Sequence, residues 1–221
     1  MIIAIDGPAG AGKTTTALKV ARILGFVHIN TGAMYRGIAL KFIREKVNLD
    51  DTKTINRILS NTQLDFSGQD LGIIHLDGED ISAKIKSSLV TKNVSLISAI
   101  SEVRVKLVEY QRQMAEGKNV VLEGRDIGTV VFPNADYKFY IVADIKVRAK
   151  RRKKEIESTG EHISMEEVIL FIQARDKKDS SRQHSPLMIA EDAIELDTTK
   201  LTIDEQVNYI INIVNKNQTG A

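Results

Sequence analysis

The residues best suited to chemistry lie near the amino end of the chain. Gly7, Pro8, Ala9, Gly10, Ala11, Gly12, Lys13, Thr14 and Thr15 satisfy the pattern Gly-x4-Gly-Lys-[Ser/Thr]. Glycines let successive backbone N–H groups wrap a phosphate with no Cβ in the way. A helix starting near Lys13 would turn its positive dipole end toward that anion. Lys13 would reach the β- and γ-phosphates of a nucleoside triphosphate, and the Thr14 hydroxyl could ligate Mg²⁺. The loop predicts a gripped phosphate, and its fate could be hydrolysis, switching, transfer or simple binding.

A guanine-reading switch needs Asn-Lys-x-Asp after a later strand. The only Asn-Lys pair, Asn215-Lys216, is followed by Asn217 and Gln218, which speaks against a switch. A nucleic-acid-translocating ATPase would show an apolar strand ending in Asp-Glu, whereas this chain has "VVLEGRD". Transfer requires a second anionic substrate held in line, with cations to neutralise the moving group. Arginines at loop and helix-start positions meet that need. Arg36 stands one turn into a helix after Thr31, and Arg125 and Asp126 directly follow a buried strand, where α/β sheets gather ligands. Arg175, Asp179 and Arg182 have spacings of four and three, on one face if the segment is helical.

The elements that must position these groups alternate. Strands are expected at Met1–Ile5, Phe26–Asn30, Asn119–Gly124, Tyr137–Ala143 and Ala193–Thr199, because each is a short run rich in apolar and β-branched residues. Helices are expected at Lys13–Leu24, Gly32–Glu45 with Thr31 as its cap, and Ile203–Val214. The alternation predicts an α/β fold, a mainly parallel five-stranded sheet with helices on both faces. Leu64–Asp80 breaks the rhythm with two apolar runs joined by polar turns, antiparallel hairpin material with short helices following to Leu96. Glu157–Ser164 interrupts two polar helices and reads as a mobile loop.

Composition narrows the class. Hydrophobic residues at 43% and charged residues at 27% are those of a globular domain, and no stretch approaches the apolar length of a membrane span. A net charge of +2 speaks against a dedicated nucleic-acid binder, although Lys146–Lys154 carries seven cations in nine positions. There is no cysteine, hence no disulfide, thiolate zinc site or thiol nucleophile. His28, His75, His162 and His184 lack ligand spacing. "MIIAI" has no basic leader, so the expectation is a cytoplasmic protein. Nothing marks a self-association surface, so a monomer is expected.

Several separate motifs carry a family likeness: "IDGPAGAGKTT", "NTGAMYR", "EGRDIGTVVFPNA", "RAKRR" and "ARDKKDSSRQHSPLMIAEDAIELDTT". In order and spacing the chain resembles the bacterial cytidylate kinases, P-loop nucleoside monophosphate kinases, over nearly its whole length. The resemblance implies transfer of the ATP γ-phosphate to CMP or dCMP, with Mg²⁺ accompanying ATP. It implies one kinase domain over 1–221. Core segments would be 1–62, 101–147 and 183–221, with a monophosphate-binding insertion at 63–100 and a lid region at 148–182.

The resemblance also assigns residues. Gly7–Thr15 and Arg151 would bind ATP, with Thr14 on the metal. Arg36, Arg125 and Arg182 would hold the CMP phosphate. Ser95, Arg104 and Asp126 would read cytosine with Thr31 nearby, Ser98 being the alternative hydroxyl, and Asp126 could instead approach Mg²⁺ or the attacking phosphate. Arg175 and Asp179 would hold the ribose. Lys13, Arg125, Asp126, Arg148, Arg152 and Arg182 would act in transfer, with Arg148, Arg151 and Arg152 brought over the ATP phosphates by the lid. A P-loop kinase for another acceptor (UMP, another nucleotide or a shikimate-like alcohol), or a non-enzymatic nucleotide- or RNA-binding module, is the alternative.

Overall fold

The computed structural model describes residues 1–68, 71–158 and 160–218, with the backbone alone at 217 and 218. Gln69 and Asp70 of the expected hairpin, Thr159 of the expected loop and the last three residues of the 183–221 segment lie outside the described residues.

Five parallel strands form the main sheet: β1 (Ile2–Asp6), β2 (Val27–Asn30), β6 (Val120–Gly124), β7 (Tyr137–Val142) and β8 (Ile194–Asp197), in the order β2-β6-β1-β7-β8. The chain winds to one side of β1 for β2 and β6, then to the other for β7 and β8. The carboxyl ends of β1 and β6 stand side by side, with Asp6 opposite Gly124. Ligand crevices open at such a reversal of winding.

Period-two alternation divides the sheet's side chains between two cores. Ile3, Ile5, Val121, Phe139 and Ile141 pack under α1 (Lys13–Leu24) and α8 (Ile203–Gln218). Ala4, Ile29, Val120 and Leu122 pack under α2 (Thr31–Arg44), α4 (Ser88–Ile97) and α5 (Ser101–Ala115). Both faces are covered, which is why these strands read as continuous apolar runs.

Local chemistry sets most helix limits. α1 ends at Gly25, whose φ of 68° lets its N–H return to the Ala21 and Arg22 carbonyls. α2 begins one residue earlier than expected and is capped by Asn30, whose side chain accepts from Ala33 N–H at 3.0 Å. Thr31 is therefore not the cap. Its hydroxyl donates instead to the Glu123 carbonyl at 2.6 Å.

The expected antiparallel insertion forms as β3 (Leu64–Ser67), β4 (Ile73–Leu76) and β5 (Glu79–Asp80), preceded by α3 (Thr52–Ser60) and followed by a 3-10 turn at Lys84–Lys86 and α4. Leu64, Ile74, Leu76 and Ile81 share the α2 core, and Gly37 keeps α2 close enough that a Cβ there would lie 3.0 Å from Leu64. Lys41 and Arg44 of α2 add ion pairs to Asp77 and Glu79. On the other side of the cavity, α6 (Ile145–Glu157) and α7 (Met165–Ser180) pack around Ala149, Val168 and Ile172. The start of α7 is fixed by a reciprocal capping box between Ser164 and Glu167.

Candidate functional site

A cavity of about 370 Å³ opens between the loop before α1, α2, the carboxyl end of β6, and α6 and α7. One end of it is the glycine loop. At Gly7, φ is 146° and a Cβ would fall 2.1 Å from the Ile141 carbonyl oxygen, so only glycine fits against β7. Gly12 has φ 98° and stands just before α1 with no side-chain cap, so the helix's first N–H groups remain available to an anion. Lys13 is buried and donates to the Pro8 carbonyl at 2.8 Å. Burial, and then the nearby Arg125 cation, push its ammonium well below the ordinary lysine range. Thr14 and Thr15 line the same wall.

Thr14 Oγ1 donates to Glu123 Oε2 at 2.9 Å, and Glu123 Oε1 is buried without a hydrogen-bond partner. A hydroxyl beside a carboxylate with an unused oxygen suits a hard divalent cation that keeps its other positions for water and phosphate oxygens. Among the described residues there is no group of three or more His, Cys, Asp or Glu able to hold a metal by themselves. The fit is to an ion that arrives with a nucleotide.

The other end is crowded with guanidinium groups. Arg36, Arg125, Arg152, Arg175 and Arg182 all line the cavity. Burial pushes Arg175 down to about 9, with Arg125 and Arg36 adding to the shift. Arg36 is lowered by burial and then by Arg152 and Arg125. Burial is the main cause of both shifts and neighbouring guanidinium cations add to it, so a phosphate entering here would find several positive groups to pair with. Asp179 is the hub. Its Oδ2 accepts from Arg125 Nε at 2.9 Å and lies 4.0 Å from Arg175 Nε, while Oδ1 pairs with Arg182. Burial alone would raise this carboxyl, but the Arg125, Arg182 and Arg175 charges outweigh it and hold it below the ordinary range.

Beside this cluster Arg104 and Asp126 form a buried ion pair. Arg104 Nη1 also donates to the Ser98 carbonyl at 3.1 Å, and its guanidinium lies 5.3 Å from the Tyr35 ring centre. Ser98 Oγ accepts from Arg182 Nη2 at 3.0 Å and lines the cavity, whereas Ser95, one turn earlier, does not line it. Thr31 lines the cavity with its hydroxyl already committed to β6.

The basic helix divides its three arginines. Arg152 faces the cavity and pairs with Glu155. Arg151 lines it too, but its guanidinium donates to the Ala11 carbonyl at 3.1 Å and to Thr198. Arg148 does not line it; it is bonded to the Ala9 and Ala143 carbonyls and to Asp176.

The sequence reading gives no role to three residues found at or beside the site: Glu123, Asp176 and Tyr35. Glu123 had a legible signal, since it ends a buried strand beside Gly124 and Arg125. Asp6, the last residue of β1, has a structural part. It accepts from Ile127 N–H at 2.9 Å and Gly128 N–H at 2.8 Å, which fixes the turn after Arg125 and Asp126.

Comparison with known proteins agrees with this geometry. Residues 3–216 match the family Cytidylate kinase. A cytidylate kinase of Caldanaerobacter subterraneus subsp. tengcongensis is 48% identical, the match covering 99% of this chain and 96% of the relative. One from Fusobacterium nucleatum subsp. nucleatum is 45% identical, covering 98% of each. Among solved structures, an uncharacterized protein from Eubacterium ventriosum shares the fold with a TM-score of 0.51 at 12% identity, covering 97% of this chain and 98% of that one. With the phosphate loop, the arginine cluster and near-complete coverage in agreement, the chain belongs to the cytidylate kinase family.

Proposed function

We propose that this protein transfers the γ-phosphate of ATP to CMP, and to dCMP, giving ADP and CDP or dCDP. The observation that carries this reading is one cavity lined by the glycine loop at one end and by a cluster of arginines at the other, in a chain of this family. ATP would lie on residues 7–15, with Lys13 exchanging its bond to the Pro8 carbonyl for the β- and γ-phosphates. Arg36, Arg125 and Arg182 would hold the CMP phosphate, with Arg175 and Asp179 toward the ribose and Arg152 over the transferring group.

CMP phosphate oxygens are anionic at neutral pH, so no general base is required. Positioning and charge neutralisation in a closed site supply the catalysis. Thr14 and Glu123 would hold Mg²⁺, which supplies further neutralisation of phosphate charge when it enters with ATP. Residues 63–100 would close over CMP and residues 148–182 over ATP, keeping water from the donor phosphate.

Arg104 and Asp126 have the chemistry to read cytosine. A carboxylate accepts from the exocyclic amine, and a guanidinium donates to the ring acceptors. Uracil would set a carbonyl against the carboxylate, and an unpaired polar contact of that kind discriminates strongly. Asp126 is paired with Arg104 and not with Thr14 or Glu123, which favours base reading over a metal role.

ADP release measured with CMP, dCMP, UMP, AMP, GMP and shikimate tests the reading. Turnover confined to CMP and dCMP is expected. Equal turnover with UMP would sink the base-reading assignment, and no turnover with any acceptor would favour a binding module. Among the described residues no helix is long and apolar enough to cross a membrane.

A further inference from the structure

Ala9, at the turn of the donor loop, is held through both its N–H and its carbonyl. Its N–H donates to Asp176 Oδ1 at 3.0 Å, its carbonyl accepts from Arg148 Nη1 at 3.1 Å, and Arg148 and Asp176 are ion-paired. The Ala9 methyl packs into the α6–α7 cluster with Ala149, Val168 and Ile172. At Gly10 a Cβ would lie 3.1 Å from the Arg148 carbonyl oxygen, so α6 rests directly on the loop. The loop is thus packed directly against α6 and α7.

α7 also serves the acceptor end. Arg175 and Asp179 face the cavity and the arginine cluster, while Asp176, the residue after Arg175, reaches the donor loop. Successive helical residues point about 100° apart, so one helix presents side chains to both substrates.

We propose that Asp176 is a positioning residue that couples the two halves of the site, so that ATP and CMP strengthen each other's binding. The proposal rests on the ATP and CMP reading given above. CMP settling with its phosphate among Arg36, Arg125 and Arg182 and its ribose on Arg175 and Asp179 fixes the orientation of α7. Through Asp176 the Ala9 peptide is fixed with it, and the loop's N–H groups are ordered before ATP arrives. Ordering completed by one ligand is a cost the second avoids, and the coupling is reciprocal.

The test is calorimetric titration of the intact protein with a non-hydrolysable ATP analogue and Mg²⁺, without and with saturating CMP, and the reverse. In the wild type the second ligand binds about fivefold more tightly or better, equally in both directions. Asp176→Ala brings this ratio to within about twofold of unity while CMP binding alone stays within about twofold of wild type. Asp176→Asn keeps an oxygen for the Ala9 N–H but loses the charged partner of Arg148, and its ratio falls between the two. A wild-type ratio of unity, an unchanged ratio in Asp176→Ala, or equal losses of CMP and analogue binding alone would overturn the proposal. If Asp176→Ala does not fold, a wild-type ratio in Asp176→Asn overturns it. Wild-type ADP release with CMP, measured in parallel, separates failure of the coupling from failure of the ATP and CMP reading.

Discussion

Arg104 and Asp126 are joined in an ion pair whose side chains are only 4% and 5% exposed, although they come from different elements, α5 and the turn after β6. The Ser98 carbonyl and the Tyr35 ring complete the guanidinium's surroundings. A pair so enclosed is costly to break from one side, because the survivor is left charged and dry.

Asp126→Ala should therefore lower stability by about 3 to 5 kcal/mol in denaturant unfolding. It should also erase the preference for CMP over UMP in steady-state assays. Retention of both stability and preference would remove Asp126 from base recognition.

Glu123→Gln should preserve the fold, since an amide oxygen can still accept from Thr14. It replaces the unpartnered carboxylate oxygen by a neutral group, so the Mg²⁺ concentration for half-maximal activity should rise about 10- to 100-fold. A Mg²⁺ titration of activity at fixed ATP measures this, and an unchanged midpoint would exclude Glu123 from the metal site.

Gly7→Ala should unfold the loop's approach to β7. The added Cβ meets the Ile141 carbonyl oxygen at 2.1 Å and the backbone at φ 146° disfavours any side chain. A loss of about 3 kcal/mol or more is expected by urea denaturation, with ATP binding abolished.

Asp6 gives a pH signature. Burial raises its carboxyl from 3.8 to about 6, despite the Gly128 and Ile127 N–H bonds that lower it. Between these values the native state holds more protons than the unfolded chain, so this group's contribution is fully present below pH 3.8 and is lost as pH rises through about 6. The loss amounts to about 3 kcal/mol. Subtracting the stability curve of Asp6→Asn from that of wild type should show a fall of this sign over that window, and a flat difference would refute it.

Much was readable along the chain. The helix Lys13–Leu24 formed with the expected limits, and the strands formed within a residue or two of theirs, because the glycine loop, Gly25 and short β-branched runs act through neighbouring residues. The antiparallel insertion was likewise announced by its turns. The cap of α2 was misjudged because Asn30 and Thr31 both have capping chemistry. The choice was made by a distant group, the Glu123 carbonyl, which takes the Thr31 hydroxyl.

The basic helix shows the same division more sharply. Arg148, Arg151 and Arg152 are alike in type and nearly adjacent, and nothing local distinguishes their duties. One meets Ala9 and Asp176, one Ala11 and Thr198, and one the open cavity. Residue type and local spacing were enough to announce a phosphate loop, cations for a second phosphate and the alternating elements that carry them. Which arginine faces the cavity, which supports the loop, and that Glu123 stands beside Thr14 were decided by packing. Those partners lie far apart in the chain, and their hydrogen bonds exist only once the sheet, α6 and α7 have closed around one cavity.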